Sequence, residues 1–443
     1  MGMALPALLF ALPLVTALIL LVNRNPAVRN TLVRVSALLM GVLSVAVGVM
    51  YFGHPFKIGV DSPLVRLLMM AVDGLAALTV LYFCVKYKRY LTAVLWLAEF
   101  FLFVAFEFHA GSYARSVCDF NIDNLSIIMI LIAGIIGGLI AVYSLGYMAV
   151  YHRKHVDVKD RRSFFFFVVF LFLSAMFGLV MSNNLLYMYT FWEITSLCSF
   201  LLIGYSGTNE AIHNSFKALW MNLLGGLAFA MAIAYLGEHF YTLEISQLLS
   251  MGMQGMPVEP VVALLVFCGF TKSAMMPFSG WLLGAMVAPT PTSALLHSST
   301  MVKAGVFLII KLAPILGNNH AGIMAMLVGG ITFFFASCAA ISQSDGKKVL
   351  AYSTISNLGL IVCCAGTGSY EAAWTAIMIV IFHAVAKSLL FLTVGTAEQQ
   401  LGSRNLESFD GIFNSIPRLS LCLVHGICGL FLATYGLMIS KWA

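Results

Sequence analysis

Apolar runs of about 20 residues recur along the whole chain, and their length limits the fold more than any other feature. About 20 mostly apolar residues are what one helix needs to cross a bilayer. Strands are not expected, because the runs are too long and lack the alternation of a membrane barrel. The sequence predicts an all-α polytopic membrane protein with about fourteen spans: 3–22, 31–52, 65–85, 90–108, 124–148, 163–182, 184–205, 212–236, 259–277, 288–313, 321–342, 347–366, 371–395 and 418–440.

Composition excludes the soluble classes. Of the 443 residues, 61% are hydrophobic and only 9% are charged, whereas soluble proteins carry roughly 25% charged residues. A soluble enzyme, a secreted disulfide scaffold and a disordered binder are therefore excluded. The net charge of +6 does not indicate nucleic acid, because the basic residues cluster in short connections between apolar runs. The expected surroundings are the lipid bilayer.

The nine cysteines include no Cys-x-x-Cys pair, and most lie within apolar runs. Cysteine in such a setting behaves as a small hydrophobic residue. We therefore expect no iron–sulfur, zinc or other cofactor on this chain.

The basic residues also predict the orientation of the chain. Four clusters lie in or near the first, third, fifth and eleventh connections, which share one side of the membrane. By the positive-inside rule this side is the cytoplasm, and the N-terminus is outside. The clusters are Arg24, Arg29 and Arg34; Lys86, Lys88 and Arg89; Arg153, Lys154, Lys159, Arg161 and Arg162; and Lys347 and Lys348.

One segment departs from simple spans. Residues 270–292 read FTKSAMMPFSGWLLGAMVAPTPT, and proline removes a backbone donor, so a helix should break here and its freed carbonyls need partners. Broken helices in membranes commonly line a polar cavity.

The sequence ends at Ser440-Lys441-Trp442-Ala443, where a charge arrives at the end of a span. From this ending we expect a truncated or partial polypeptide.

Ionisable side chains within the spans are the candidate functional residues. Each costs at least ~2.5–3.5 kcal/mol near the bilayer centre, so such residues usually line a pathway or pair with one another. A buried lysine holds its proton while a carboxylate is near and releases it when the carboxylate withdraws. The spacing therefore predicts a lateral proton relay. Its candidates are Glu193, Lys217, Lys272, His297, Lys303, His383, Lys387 and Lys441.

Plainer interpretations stay open for most of these residues. Glu193 and Lys272 are deep and flanked by uncharged residues, which favours a functional opposite-charge pair. Lys217 could instead extend its amine to the interface from near a helix end. His297 and His383 could be polar residues with satisfied hydrogen bonds, and Lys303 and Lys311 could reach the interface. Asp73, Glu99 and Glu107 could face a neighbouring subunit.

Five motifs, in one order, carry a family resemblance. They resemble the antiporter-like proton-translocating membrane subunits of respiratory complex I, Mrp cation/proton antiporters and membrane-bound [NiFe] hydrogenases. The motifs are IDNLS (122–126), LLYMYTFWEITSLCSFLLIGY (185–205), TKSAMMPFSGWLLGAMVAPTPTSALLHSSTMVKAG (271–305), SDGKKVLAYSTISNLG (344–359) and FHAVAKSLLFL (382–392).

The resemblance implies a fold and a division of the chain. It implies an antiporter-like fold with discontinuous helices and inverted repeats, from which the closing C-terminal helices are missing. Residues 122–443 would form the proton-translocating core, incomplete at its C-terminus. Residues 1–121 would form N-terminal helices that include an extra helix pair at 65–108.

The resemblance also implies roles for individual residues. Glu193 matches the glutamate that partners the pumping lysine, Lys272, at the discontinuous helix. His297 matches a bridging histidine, and Asp345 and Lys347 match a charged pair. His383 and Lys387 match the central relay, where relatives have a second broken helix, and Lys441 matches the terminal lysine. One departure is Gly226, nine residues after Lys217, where some complex I subunits carry a carboxylate.

Within this family, the helix pair and the sequence of residues 277–305 look closest to the large membrane subunit of energy-converting (Ech-type) hydrogenases. This implies a non-catalytic ion-pumping subunit of a ferredoxin-linked complex in a prokaryotic cytoplasmic membrane. Its partners would be other membrane subunits and peripheral hydrogenase subunits, which would carry the Fe–S clusters and the NiFe centre and receive electrons from ferredoxin.

Three alternatives stay open: a subunit of an Mrp-type Na+/H+ antiporter, a complex I proton-pumping subunit, and a structural subunit whose buried charges are relics. The ion is open as well. Lysine and histidine favour H+, because they bind protons and cannot coordinate Na+ while charged. The oxygen ligands of a hard cation are sparse, although carbonyls at the broken helices leave Na+ open.

Overall fold

The N-terminal part of the chain forms four helices and contributes two strands to one small sheet. A computed structural model gives the structure, and it describes residues 4–60, 62–109, 116–317 and 319–440. The elements are α1 (Ala4–Val22), α2 (Pro26–Tyr51), β1 (Phe56–Ile58), α3 (Pro63–Lys86), α4 (Tyr90–His109) and β2 (Phe120–Ile122). The strands are antiparallel, with Phe56 opposite Ile122. These short strands, which we did not expect from the sequence, lie outside the predicted spans.

The middle of the chain contains several deeply buried helices. They are α5 (Asn124–Leu131), a π-helical segment (Ile132–Ile136), α6 (Gly137–Lys154), α7 (Arg162–Met181), α8 (Leu185–Ile203), α9 (Asn209–Phe240), α10 (Ile245–Met253) and α11 (Glu259–Lys272). Polar residues begin several of them. Asp123 caps α5, Asn184 caps α8 and Thr208 caps α9, and each accepts a backbone N–H of the first turn, which satisfies a donor left free at the helix end.

The remaining helices complete the bundle. They are α12 (Gly280–Gly284), α13 (Thr290–Ala294), a π-helical segment (Leu295–Ser299), α14 (Met301–Leu312), α15 (His320–Ile341), α16 (Gly346–Gly366), α17 (Tyr370–Leu401), α18 (Ile412–Ser415) and α19 (Pro417–Ser440). Asp345 and Ser369 cap α16 and α17, and α17 ends at Gly402 in the left-handed region, φ 76°.

The predicted helical, multi-pass architecture is confirmed. Each predicted span falls on a helix or on consecutive helical segments, and eleven of the described helices are long and apolar enough to cross a membrane. The apolar stretches Tyr90–Phe106 and Pro417–Leu430 are shorter, and the span predicted at 259–277 ends as a helix at Lys272. The count of fourteen and the orientation therefore stay predictions.

The predicted break after Lys272 is present. Ala274 adopts a left-handed φ of 55°, and Met276–Pro277 is a cis peptide bond. The end of α11 finds the partners that a broken helix requires: the Trp281 indole donates to the Thr271 carbonyl at 2.9 Å. Ser273 Oγ donates to the Val302 carbonyl at 3.1 Å, which joins α11 to α14.

The second interruption is not where the resemblance placed it. The helix over 370–401 is continuous through His383 and Lys387, so the expected break at these residues is wrong. The interruption lies instead at Thr300, whose φ and ψ are −132° and −90°. It follows the π-helical segment Leu295–Ser299, which contains His297; such segments often occur at functional sites.

Helices α15 and α16 approach each other so closely that glycine is required at their contact. A Cβ added to Gly329 would lie 2.5 Å from the Cys363 backbone nitrogen and 2.7 Å from the Gly359 carbonyl oxygen. Small residues permit this approach, which is a common way for membrane helices to associate. The neighbouring Gly330 has only Cys363 Sγ nearby, at 3.8 Å.

We therefore expect Gly329→Ala to force the two backbones apart and to lower the free energy of unfolding by about 1–3 kcal/mol. The measurement is thermal unfolding of the detergent-purified chain. Gly330→Ala, one residue away with open space around it, is the matched control and should melt like the unmodified chain. Equal melting of both variants would contradict the close approach.

Candidate functional site

Lys272, the last residue of α11, is fully buried and held by neutral acceptors. Its Nζ donates to the Trp192 carbonyl oxygen at 2.9 Å and to Ser196 Oγ at 2.7 Å, and it lies 4.8 Å from the centre of the Trp192 ring. All of these partners lie on α8. The ammonium is therefore solvated by a carbonyl, a hydroxyl and an aromatic face.

Glu193, the predicted partner of Lys272, is buried on the same helix but does not touch the lysine directly. The two groups are electrostatic neighbours, yet no carboxylate of the described residues lies within 4.0 Å of Lys272 Nζ. Neither oxygen of Glu193 has a hydrogen-bond partner among these residues. The structure thus shows the pair separated.

Two further carboxylates lie beside Glu193. Asp73 on α3 and Glu99 on α4 are 6% and 2% exposed, so the alternative that they face a neighbouring subunit is wrong. Thr190 Oγ1 donates to Asp73 at 2.8 Å, and Tyr189 donates to Glu99 at 3.0 Å.

The Glu99 carboxylate lies against Gly226. A Cβ added to Gly226 would lie 2.0 Å from Glu99 Oε1. Some complex I subunits carry a carboxylate at the position of Gly226. In this structure the Glu99 carboxylate of α4 occupies the space beside Gly226 instead. The Glu107 side chain lies outside the described part of the chain.

A second buried group combines α14 and α17. Lys303 Nζ donates to the Val380 carbonyl oxygen at 2.9 Å and lies 3.3 Å from His383 Nδ1. Lys303 is completely buried, so an interfacial position for it is wrong. Lys387 donates to the Leu350 carbonyl oxygen at 3.2 Å and to the Ser353 hydroxyl. The structure therefore brings the predicted central relay residues together.

The histidines of this group are buried with ring nitrogens left unpartnered. Within the described residues, both ring nitrogens of His297 and Nε2 of His383 lack a partner, so the expectation of a satisfied polar role is wrong for His297, while His383 Nδ1 contacts Lys303. Lys303, Lys387 and His297 are all electrostatic neighbours of His383. Free ring nitrogens beside lysines provide sites that a proton can occupy in turn.

The third group lies where α16 begins and α17 ends. Lys347 Nζ lies 3.2 Å from Glu398 Oε2, and Arg404 also pairs with Glu398. Asp345 does not pair with Lys347 through its side chain; it caps α16 by accepting the backbone N–H groups of Lys347 and Lys348. Glu398 was not among the predicted site residues because the predicted span ended at 395. The glycine at 402, a common residue just past a helix end, was the signal that the helix continues.

A cavity of 470 Å³ reaches this third group, with Glu398, Arg404, Tyr147, Lys154 and Pro289 among its lining residues. Tyr147 and Thr290 extend the polar contacts inward: their hydroxyls are 3.1 Å apart, and Thr290 donates to Glu398 at 3.3 Å. The cavity therefore reaches the Glu398 end of the ion pair, while Lys347 is fully buried.

The remaining predicted residues are less central. Lys217 is half-buried near the beginning of α9, close to Gly280 of the broken region. Lys311 pairs with Asp123 at 3.4 Å. Burial raises the pKa of Asp123, but the Lys311 ammonium and the Ser126 backbone N–H outweigh it and hold this pKa below its usual value. Lys441 lies outside the described residues.

No cluster of three or more histidine, cysteine, aspartate or glutamate side chains among the described residues is arranged to hold a metal ion. The arrangement thus contains three groups of buried ionisable side chains: the carboxylates of Asp73, Glu99 and Glu193 near Lys272, the lysines and histidines of α14 and α17, and the Lys347–Glu398 pair. Such residues inside a membrane bundle are typical of proton and ion pathways.

The fold and the buried series define a multi-pass helical membrane protein with an internal chain of ionisable groups. The chain belongs to the family described as "NADH:quinone oxidoreductase/Mrp antiporter, TM", whose match spans residues 182–439. A second match, over residues 109–157, is described as "NADH-Ubiquinone oxidoreductase (complex I), chain 5 N-terminus". The first match contains every predicted site residue except Lys441.

Relatives and solved structures agree with this family. The chain is 38% identical over 324 residues to the putative antiporter subunit mnhA2 of Staphylococcus haemolyticus (strain JCSC1435), covering 69% of this chain but 40% of that protein. It thus spans less than half the length of this relative. The Mrp complex from Dietzia sp. DQ12-45-1b contains a similar chain (TM-score 0.70, 25% identity, 90% of this chain and 38% of that one).

A chain of the membrane-bound sulfane sulfur reductase, described as an archaeal respiratory membrane complex, has the same fold. The TM-score is 0.76 at 20% identity, over 98% of this chain and 81% of that one.

The Lys347–Glu398 pair gives a test of the site's energetics. We expect Glu398→Gln to leave the buried Lys347 ammonium without its carboxylate and to lower the free energy of unfolding by about 3 kcal/mol. Thermal unfolding in detergent measures this. Glu407→Gln, at an exposed position nearby, is the control. If the two variants melt alike, the pair does not stabilise the fold.

Proposed function

We propose that this chain translocates protons across the membrane through its buried ionisable series, as one subunit of a hetero-oligomeric membrane complex. The observation that carries the proposal is the burial of Lys272, Lys303 and Lys387 within one bundle, each with its amine bound to a backbone carbonyl. Neutral acceptors solvate an ammonium without fixing its charge as a carboxylate would. Each lysine can therefore release and regain a proton at modest cost.

In the proposed mechanism, the distance between Glu193 and Lys272 controls whether the Lys272 amine is protonated. When Glu193 approaches Lys272 the lysine keeps its proton, and when it withdraws the burial of the ammonium favours release. Lys303 and His383, 3.3 Å apart, then pass the proton along α14 and α17. In this mechanism Glu398 and Lys347 connect the series with the 470 Å³ cavity.

The driving force has two candidates. The first is redox chemistry in partner subunits of a ferredoxin-linked [NiFe] hydrogenase, which would hold the Fe–S clusters and the NiFe centre; the helix pair at 65–108 and the motif wording support it. The second is Na+/H+ exchange in an Mrp-type complex, which the 38% identity to mnhA2 favours. In both, this chain carries no redox cofactor, and it resides in a prokaryotic cytoplasmic membrane.

Substitution of the central pair tests translocation. Lys272→Ala and Glu193→Gln should each reduce proton movement at least about tenfold, because each removes a protonatable group from the series, while assembly of the complex persists. The measurement is the internal pH of inverted membrane vesicles, energised with reduced ferredoxin or with a Na+ gradient. Lys348→Ala, an exposed lysine, is the control. Normal translocation by both pair variants would refute the proposal.

Purification of the native complex decides between the driving forces. For the redox-driven pump we expect hydrogenase subunits to co-purify, identified by mass spectrometry, with H2 evolution from reduced ferredoxin. Antiporter subunits as the only partners, without hydrogenase activity, would instead assign the chain to Na+/H+ exchange.

A further inference from the structure

The α3–α4 hairpin lies at the edge of the bundle yet points two acidic residues inward. Its outer face is apolar and exposed, with Leu75, Leu78 and Phe101 at 66%, 67% and 74% exposure. Its inner face packs on α8 and α9, and the β1–β2 pair joins the chain before and after the hairpin. A hairpin that served only for packing would need no carboxylates on its inner face.

Asp73 and Glu99 nevertheless occupy this inner face, and their burial is not offset by cations. Among the described residues, no lysine, arginine or histidine lies within 4.0 Å of either carboxylate. The groups that face Glu99 electrostatically are Glu193, Lys272 and Asp73. A buried carboxylate is expensive unless it is paired or protonated.

The hydrogen bonds leave one oxygen of each carboxylate open. Tyr189 donates to Glu99 Oε1, and Thr190 donates to Asp73 Oδ2. Asp73 Oδ1, Glu99 Oε2 and both oxygens of Glu193 are buried without a partner in the described part of the chain. Each of the three side chains is at least nine-tenths buried, so the free oxygens are acceptors that a proton would satisfy.

The three carboxylates share one cleft, and two of them are close together. Glu99 Oε1 and Glu193 Oε1 lie 2.0 and 2.9 Å from the point where Gly226 would carry a Cβ, so these oxygens are within about 5 Å of each other. They line a cleft together with Trp96, Phe100, Phe103, Tyr189 and Asp73. Only 10 Å³ of this cleft is free, which holds at most about one water molecule.

We propose that Asp73, Glu99 and Glu193 form a proton-binding site through which the α3–α4 hairpin extends the buried series beyond Glu193. Carboxylates this close in an apolar setting cannot all be ionised, so the cluster holds at least one proton and shares it among its members. Loss or gain of that proton changes the charge next to Lys272. The hairpin therefore contributes protonatable groups to the pathway.

A proton fits this site better than a metal cation. The cleft has no room for a hydrated ion, and a hard cation requires about six oxygen ligands. Among the described residues, no group of three or more candidate side chains is placed to hold a metal.

The test uses the full complex and rests on the proposed translocation function. Glu99→Gln should reduce proton movement in vesicles about tenfold or more and should remove a protonated-carboxyl C=O band from infrared difference spectra. Glu238→Gln, an exposed glutamate on α9, is the matched control and should change neither.

A relocation variant separates a protonatable role from a packing role. Glu99→Ala vacates the space beside Gly226, and Gly226→Asp in the same chain returns a carboxyl to it from α9. We expect Glu99→Ala alone to lose translocation and the double variant to regain a substantial part of it. An assembled double variant that stays inactive would overturn the proposal.

Lys272→Ala distinguishes the two possible failures. If Glu99→Gln translocates like the control while Lys272→Ala is inactive, the extension by the hairpin is wrong and translocation by this chain stands. If Lys272→Ala is also active, the proposed translocation fails. The infrared band then decides separately whether the cluster binds a proton: its presence in the control and absence in Glu99→Gln supports the site, and an unchanged band overturns it.

Discussion

The burial of charge in an apolar bundle is the constraint on which the rest of this structure depends. Lys272, Lys303 and Lys387 are fully buried, and water cannot solvate their amines. Each amine instead donates to a carbonyl of a neighbouring helix, and two of them also contact a serine. Breaking such a contact leaves an uncompensated charge, which costs far more than an ordinary lost hydrogen bond. The lysine–carbonyl hydrogen bonds therefore constrain how α8, α11, α14, α16 and α17 pack against one another.

The helix interruptions serve the same requirement. Where α11 ends at Lys272, the Trp281 indole satisfies the Thr271 carbonyl, which a continuous helix would have paired internally, and the Ser273 hydroxyl donates to the Val302 carbonyl of α14. At His297 the helix widens into a π segment, and it is interrupted at Thr300. In contrast, α17 carries His383 and Lys387 without a break. Its Val380 carbonyl accepts a hydrogen bond from Lys303 of α14, and Lys387 donates to the Leu350 carbonyl of α16.

Hydropathy and the cost of buried charge predicted the helices, the break after Lys272 and the ionisable series, since each depends on residue type and local spacing. What they could not predict depends on tertiary contacts. Glu398 lay beyond a predicted helix end that the structure extends to Leu401. Asp73 and Glu99 carried the same sequence signal as Glu193, but only packing shows whether a span turns such a residue toward its own bundle or toward a neighbour. Similarly, the sequence shows that Gly226 lacks a carboxylate, but only the structure shows that the Glu99 side chain lies against this glycine.

The space around the charges is also distributed unevenly along the series. Glu398 and Lys347 adjoin a cavity of 470 Å³ that water can enter, whereas Asp73, Glu99 and Glu193 surround a cleft of 10 Å³. One end is thus open to solvent and the other is closed by packing. In the proposed mechanism, a proton at Glu398 can therefore exchange through the cavity, whereas a proton at the carboxylate cluster is enclosed. The α3–α4 hairpin provides this enclosure, because its inner face packs on α8 and α9 and the β1–β2 pair joins the chain on either side of it.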